Sequence, residues 1–229
     1  MIALERLGDI FPAVSFPGFA ALVLALALVG TGCQSMYYAT MEKFGIEKRD
    51  LLKSAVEKAR DSQQDAATQF KDALTRLRDL YSVNGGALES NYDKLKGEYE
   101  DAERDAEFVR KRIKEMDQVA TDLFSEWEKE IGQFTNPTYA SNSRRQLNET
   151  RAKYQQLAVS LKAAEASMQP VLAQLKDQVL YLKHNLNAAA IGALRGEATN
   201  IQNDITRLLE QMNNSIRQAD EFIKTLPKE

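Results

Sequence analysis

A chain of 229 residues with 11 Gly and 5 Pro is too poor in turn formers for an all-β fold, which needs a turn about every ten residues. A formal charge of −3 and a pI near 5.5 argue against a nucleic-acid partner, because phosphate binding needs a basic face. Ala, Leu, Gln, Glu, Lys and Arg dominate, acids and bases are interleaved, and both features favour solvated helices throughout.

The N-terminus carries the shortest informative segment. Phe19 to Val29 is an apolar run of Phe, Ala, Leu and Val, preceded by Pro12 and Pro17 and followed by Gly30-Thr31-Gly32-Cys33. Its length suits the apolar core of a secretory signal, about 7–15 residues, and falls short of the roughly 18 expected of a spanning helix. Cys33, the single cysteine, closes that run directly after a small residue. The arrangement resembles a bacterial lipoprotein signal, in which the cysteine is acylated and becomes the mature N-terminus. Gly30 stands where such signals usually carry Leu, and Arg6 is offset by Glu5 and Asp9. An uncleaved anchor spanning about Ile10 to Gly30 is therefore the alternative. Both place the remainder outside the cytoplasm. Removing residues 1–32 takes away Glu5, Asp9 and Arg6, a net −1, and leaves −2.

With no second cysteine to pair with, packing must hold the fold. Gln34 and Ser35 follow Cys33 where an aspartate would signal inner-membrane retention, so the expected location is the periplasm, lipid-anchored to the outer membrane. Met36, Tyr37, Tyr38 and Phe44 form an aromatic patch beside the anchor. They suit either a headgroup layer or the apolar start of the first helix. The expected division is a signal over 1–32, an anchor and tether over 33–45, and a helical domain over 46–226.

From Gly45 onward the spacing predicts long helices with short breaks. Leu52, Val56, Ala59, Gln63, Ala66, Phe70, Ala73, Leu77 and Leu80 alternate four and three over a first helix from about Ile46 to Val83, ended by Asn84-Gly85-Gly86. The second seam is the longest: Leu88, Tyr92, Leu95, Tyr99, Ala102, Ala106, Val109, Ile113, Met116, Ala120, Leu123, Trp127. A 3.5-residue repeat held this long keeps one narrow stripe facing partner helices. This helix is expected to stop near Phe134, before Thr135-Asn136-Pro137.

Ser141 or Asn142 is the expected cap of a third helix with the seam Leu147, Tyr154, Leu157, Leu161, Ala164, Met168, Val171, Leu175 and a kink at Pro170. Near His184 two readings stand. Asn187 caps a fourth helix with the seam Ile201, Ile205, Leu208, Met212, Ser215, Ala219, Phe222, or Leu182, Leu186, Ala190, Leu194 and Ala198 continue one helix of over 80 residues. A turn gives four helices of roughly 40 residues, each about 60 Å long, that cover one another. The expected fold is all-α: an elongated antiparallel bundle of four long helices, the alternative being three with one very long C-terminal helix.

The segments Met36-Tyr37-Tyr38-Ala39-Thr40-Met41-Glu42-Lys43-Phe44-Gly45-Ile46-Glu47-Lys48-Arg49, Pro170-Val171-Leu172 and Val179-Leu180-Tyr181-Leu182-Lys183-His184-Asn185-Leu186-Asn187-Ala188 resemble the uncharacterised bacterial family called domain of unknown function 2959. The resemblance implies a helix-rich cell-envelope protein and supplies no catalytic residues.

Chemistry is sparse. No Gly-rich loop with Lys and Ser/Thr is present to cradle phosphates. With one histidine and one cysteine, zinc-ligand sets cannot be assembled. His184 at a helix boundary suits a polar cap better than a general base. Glu98, Glu100, Asp101, Glu103, Asp105 and Glu107 lie on a helix beside Arg104, Arg110 and Lys111, with Glu100–Arg104 and Glu107–Lys111 spaced as favourable i,i+4 pairs, which fits a solvated face rather than a calcium site. No catalytic, cofactor-binding or metal residue is expected, and Cys33 is the one candidate site, for lipid attachment. Two functions fit: a lipid-anchored structural or adaptor bundle with an unidentified protein partner and a possible homo-oligomer, or a membrane-shaping helical dimer with Arg110, Lys111, Arg112, Lys114, Arg144 and Arg145 as its basic face.

Overall fold

The computed structural model describes residues 48–82, 88–196 and 198–226. Cys33, the aromatic patch and the Asn84-Gly85-Gly86 turn lie outside the described residues. Five helices follow in order: α1 (Lys48–Ser82), α2 (Leu88–Ile131), α3 (Pro137–His184), α4 (Ala188–Arg195) and α5 (Ala198–Thr225).

The apolar seams explain why these helices assemble. Every expected seam position of α1, from Leu52 to Leu80, is buried. So is every one from Leu95 to Leu123 in α2, with Leu88, Tyr92 and Trp127 packed against the core at its ends. The α3 and α5 seams are buried in full. Burying such stripes against one another removes apolar area from water at about 25 cal/mol per Å², the main force closing the bundle.

Side-chain pairs give the directions. Arg76 meets Glu98 and Lys48 meets Glu126, so residue numbers rise on α1 as they fall on α2. Arg151–Glu128 and Arg110–Glu165 set α3 antiparallel to α2. Gln174–Asp204 with Tyr154–Phe222, and Arg60–Asp220 with Gln63–Ser215, set α5 antiparallel to α3 and to α1. Going round the bundle, α1 packs on α2, α2 on α3, α3 on α5 and α5 back on α1. This is up-down topology. Ala59, Ala66 and Ala73 recur one heptad apart on α1, and Ala102, Ala106 and Ala120 lie buried on α2. Such small side chains let two backbones approach closely, and α1 and α2 pack along most of their length.

The turn near His184 is present, which decides against one helix of over 80 residues. Asn187 caps α4, its Oδ1 accepting from Ala190 N at 3.0 Å. Three boundaries depart from expectation. The α2 helix stops at Ile131, three residues before Phe134. The cap of α3 is Asn136 and not Ser141 or Asn142: its Oδ1 accepts from Thr138 N at 2.9 Å, and Pro137 occupies the first turn, where its missing N–H costs nothing. The fourth helix is divided at Gly196 into α4 and α5. Pro170 sits within the continuous helix α3. Both it and Ala166, whose carbonyl the ring leaves without a helical partner, are on the exposed side.

Arg195 on α4 donates to the Tyr81 carbonyl at 2.7 Å. The last turn of α1 contains no basic residue, so α4 supplies from outside a cation and donor for that helix end.

Candidate functional site

Polar side chains enter the core in a few places. Midway along the bundle, Gln63 donates from Nε2 to the Leu161 carbonyl at 3.2 Å and accepts from Ser215 Oγ, which also contacts the Met212 carbonyl at 2.8 Å. One amide thereby ties α1 to α3 across the diagonal and to α5 at its side. A satisfied polar layer in an apolar core penalises slipped registers, in which its groups lose their partners. The sequence signal was present: Gln63 and Ser215 are polar residues standing at seam positions.

Nearer the α1 C-terminus, Tyr81 Oη donates to Gln178 Oε1 at 2.6 Å. Toward the other end, Tyr154 Oη donates to Asp117 Oδ1 at 2.6 Å, and Lys162 pairs with the same carboxylate. Tyr154 also meets Phe124 and Phe222 edge-on, with ring centroids 5.7 and 6.0 Å away. Burial, then the bond to Asp117, pushes the Tyr154 hydroxyl well above its ordinary value. Tyr99, whose hydroxyl donates to Glu103 at 2.8 Å, is raised to about 12, chiefly by burial. Both phenols keep their protons at neutral pH and act as donors: Tyr154 ties α3 to α2, while the Tyr99 bond lies within α2. The Tyr154–Asp117 bond joins residues far apart in sequence, and seam periodicity carries no sign of it.

The acidic run of α2 is spread among different cations. Glu98 bonds Arg76 on α1, Glu100 pairs with Lys96, Asp101 with Arg104, and burial pushes the Asp105 carboxyl upward. In place of the expected Glu100–Arg104 pair, Glu100 turns back one helical turn to Lys96 and Arg104 takes the neighbouring Asp101. Among the described residues, no three of His, Cys, Asp and Glu are grouped as ligands for a metal ion. His184 is exposed on the last turn of α3.

Two outer regions remain. A groove of about 940 Å³ runs between α3 and α5, lined in part by Leu157, Phe222, Lys153 and Glu221, with Val159 beside them 68% exposed. At the α2–α3 turn, every residue from 132 to 139 is exposed, including Phe134 and Tyr139. Among the described residues no helix is long and apolar enough to cross a membrane.

No curated protein matches the chain. A family model described as "Protein of unknown function (DUF2959)" matches residues 37–226, a span that takes in all five helices, and the chain therefore belongs to this family.

Proposed function

We propose that the chain is a lipid-anchored structural or adaptor protein of the bacterial cell envelope, held at the periplasmic face of the outer membrane through an acylated Cys33. The observation that carries this reading is the disposition of its polar groups. The Gln63–Ser215, Tyr81–Gln178 and Tyr154–Asp117 bonds each tie helices together, and their chemistry is that of a scaffold. The 48 residues of α3 extend about 72 Å at 1.5 Å per residue, a rod long enough to present a partner site far from an anchored end. Since the seams are buried within one chain, partners meet the outer helix faces. The membrane-shaping dimer has less support, because Arg110 and Arg112 are paired with Glu165 and Glu115.

The test is fatty-acid labelling of the wild-type chain and of Cys33→Ser in a bacterial host. Label in the wild type, and its loss with release from the membrane in the variant, is the expected result. An unlabelled wild type, or a processed variant that stays equally membrane-bound, overturns the anchor. Crosslinking in the native envelope then identifies the partner, and recovery of a turned-over small molecule as substrate would instead favour an enzyme.

A further inference from the structure

The α2–α3 turn combines features that neither a structural loop nor a solvated face needs. Phe134 is 46% exposed and Tyr139 61% exposed, yet the turn holding them is well braced. Gln133 N donates to the Glu130 carbonyl at 2.9 Å, Ala140 N to the Asn136 carbonyl at 3.1 Å, and Asn136 caps α3. Large apolar rings are thus presented to the outside on a fixed support, where a disordered loop would let them fold away.

Charge is the second feature. Residues 131–148 contain Arg144 and Arg145 and not one Asp or Glu, in a chain of net charge −3. Both arginines are exposed, and among the described residues neither has a carboxylate partner; Arg145 reaches only the Asn142 side chain, at 3.1 Å. They sit 7 and 8 residues after Pro137, the first residue of α3, about 10–12 Å up the helix at 1.5 Å per residue. Side chains of an α-helix lean toward its N-terminus, so both guanidinium groups lean toward the tip carrying the rings. Exposed aromatic rings with cations within about two helical turns above them match a bilayer interface, with rings among the glycerol and upper acyl groups and guanidinium on phosphate.

The third feature is where the chain enters. Lys48 pairs with Glu126, and Arg49 lies 6.0 Å from the Trp127 ring, which bonds Ser143. The first turn of α1 is therefore at the same end of the bundle as the α2–α3 turn. Fourteen residues lie between Cys33 and Lys48, a tether reaching at most about 50 Å, so an acylated Cys33 would hold this end within that distance of the bilayer. The opposite end also exposes Leu180, Tyr181 and Leu186, with the exposed Lys183 among them, so what sets the α2–α3 tip apart is that the chain enters the bundle at its end.

We propose that the α2–α3 tip is a lipid-contact site, with Phe134 and Tyr139 inserted in the interface of an anionic bilayer and Arg144 and Arg145 on lipid phosphates. The tip then works with the anchor of the proposed function and stands the bundle on the membrane. The experiment uses the full chain with vesicles of phosphatidylethanolamine and phosphatidylglycerol carrying brominated acyl chains. A single tryptophan is placed by Phe134→Trp or by Leu186→Trp, each in a Trp127→Phe background whose helicity and melting are checked first. Bromine should quench the tryptophan at position 134 several-fold more than the one at 186, and Arg144→Gln with Arg145→Gln, or neutral phosphatidylcholine vesicles, should shrink the difference.

Quenching at 134 no greater than at 186 overturns the tip site, whether both are quenched or neither is. The difference in flotation between the wild-type chain and Cys33→Ser reports the anchor separately. A chain that fails to float through its N-terminus but still shows stronger quenching at 134 at saturating lipid loses the anchor and keeps the tip, while one that floats without the difference does the reverse.

Discussion

The α2 helix and the arm made of α4 and α5 bury seams of the same kind, yet α2 runs unbroken for 44 residues and the other arm is divided after Arg195. The contrast comes from how much each stretch can lose. Gly97 is the single glycine within α2, and it is covered by a seam that continues for several turns on both sides. In α4, Gly192 lies inside an 8-residue helix and Gly196 follows its end. Each glycine costs about 1 kcal/mol relative to alanine in a helix, and a helix this short is not stable by itself. Docking of Ala190, Ile191 and Leu194 into the core and the Arg195 bond to Tyr81 hold it instead. An apolar seam therefore shows which side chains face the core and leaves open whether the backbone between them is continuous.

The strongest way to break the comparison is to charge each seam. Ile113 in α2 is only 5% exposed, and Ile113→Asp would place an unpaired carboxylate in an apolar layer with α1 and α3 as neighbours. The expected cost is about 3–5 kcal/mol, read as a large drop in the denaturant midpoint. Leu194→Asp in α4 should cost less, because an 8-residue segment can peel away and hydrate its new charge. Equal losses for the two, or an unchanged midpoint for Ile113→Asp, would sink the distinction.

Alkaline titration probes the α2 side of the comparison by a second route. Tyr99 is raised from 10.0 to about 12, and Tyr154, which bridges α3 to α2, is raised as well. Between these values an unfolded tyrosine has lost its proton and the folded one has kept it, so the unfolded state binds fewer protons and stability falls as pH rises from about 10 to 12. Tyr99 alone contributes on the order of 2 kcal/mol to that loss. Tyr99→Phe should flatten the pH dependence of the unfolding free energy over this window. An identical slope in the variant would mean the phenol is not held up by burial.

These same places mark how far sequence reasoning reaches. Seam positions were legible because four-three spacing has one consequence on a helix, and the polar seam residues Gln63 and Ser215 stood within it. The turn at Asn187 was legible as one of two options, since a side-chain cap and a continuing apolar stripe coexist in those residues. The α3 start was misplaced because Ser141 and Asn142 are capping residue types, whereas Asn136 followed by Pro137 is a stronger signal that had been spent on ending α2. The tip is harder to see. Phe134 and Tyr139 do not belong to any seam, and their exposure became visible only once Asn136 fixed the turn between them.

Cap removal gives an effect near 1 kcal/mol. Asn187→Ala removes the acceptor of Ala190 N, which lies in a partly buried setting, and Asn136→Ala removes the acceptor of the exposed Thr138 N. The first should cost more, because water replaces the lost acceptor more readily at Thr138. Hydrogen exchange should report the loss at Asn187 as faster exchange confined to α4, with α2 unaffected. Exchange speeding up evenly through both arms would show that α4 unfolds only with the whole bundle.

The smallest effect has the opposite sign and bears most directly on why the two arms differ. Gly196 has φ −63° and ψ −30°, inside the right-handed helical region that every L-residue adopts. A Cβ added there would lie 3.4 Å from the Ala193 carbonyl oxygen, an ordinary contact. Gly196→Ala should therefore be accommodated and, by restricting the unfolded chain and raising helix propensity, should stabilise the protein by about 0.4–1 kcal/mol. If glycine alone divides the arm, the variant should also gain helical ellipticity as α4 and α5 join. Stabilisation without that gain would place the cause of the break in the docking of α4, where the Arg195 bond to the end of α1 holds the helix in its own direction. Loss of stability would mean that a wider backbone range is used at Gly196 than this one conformation, and would remove propensity from the explanation.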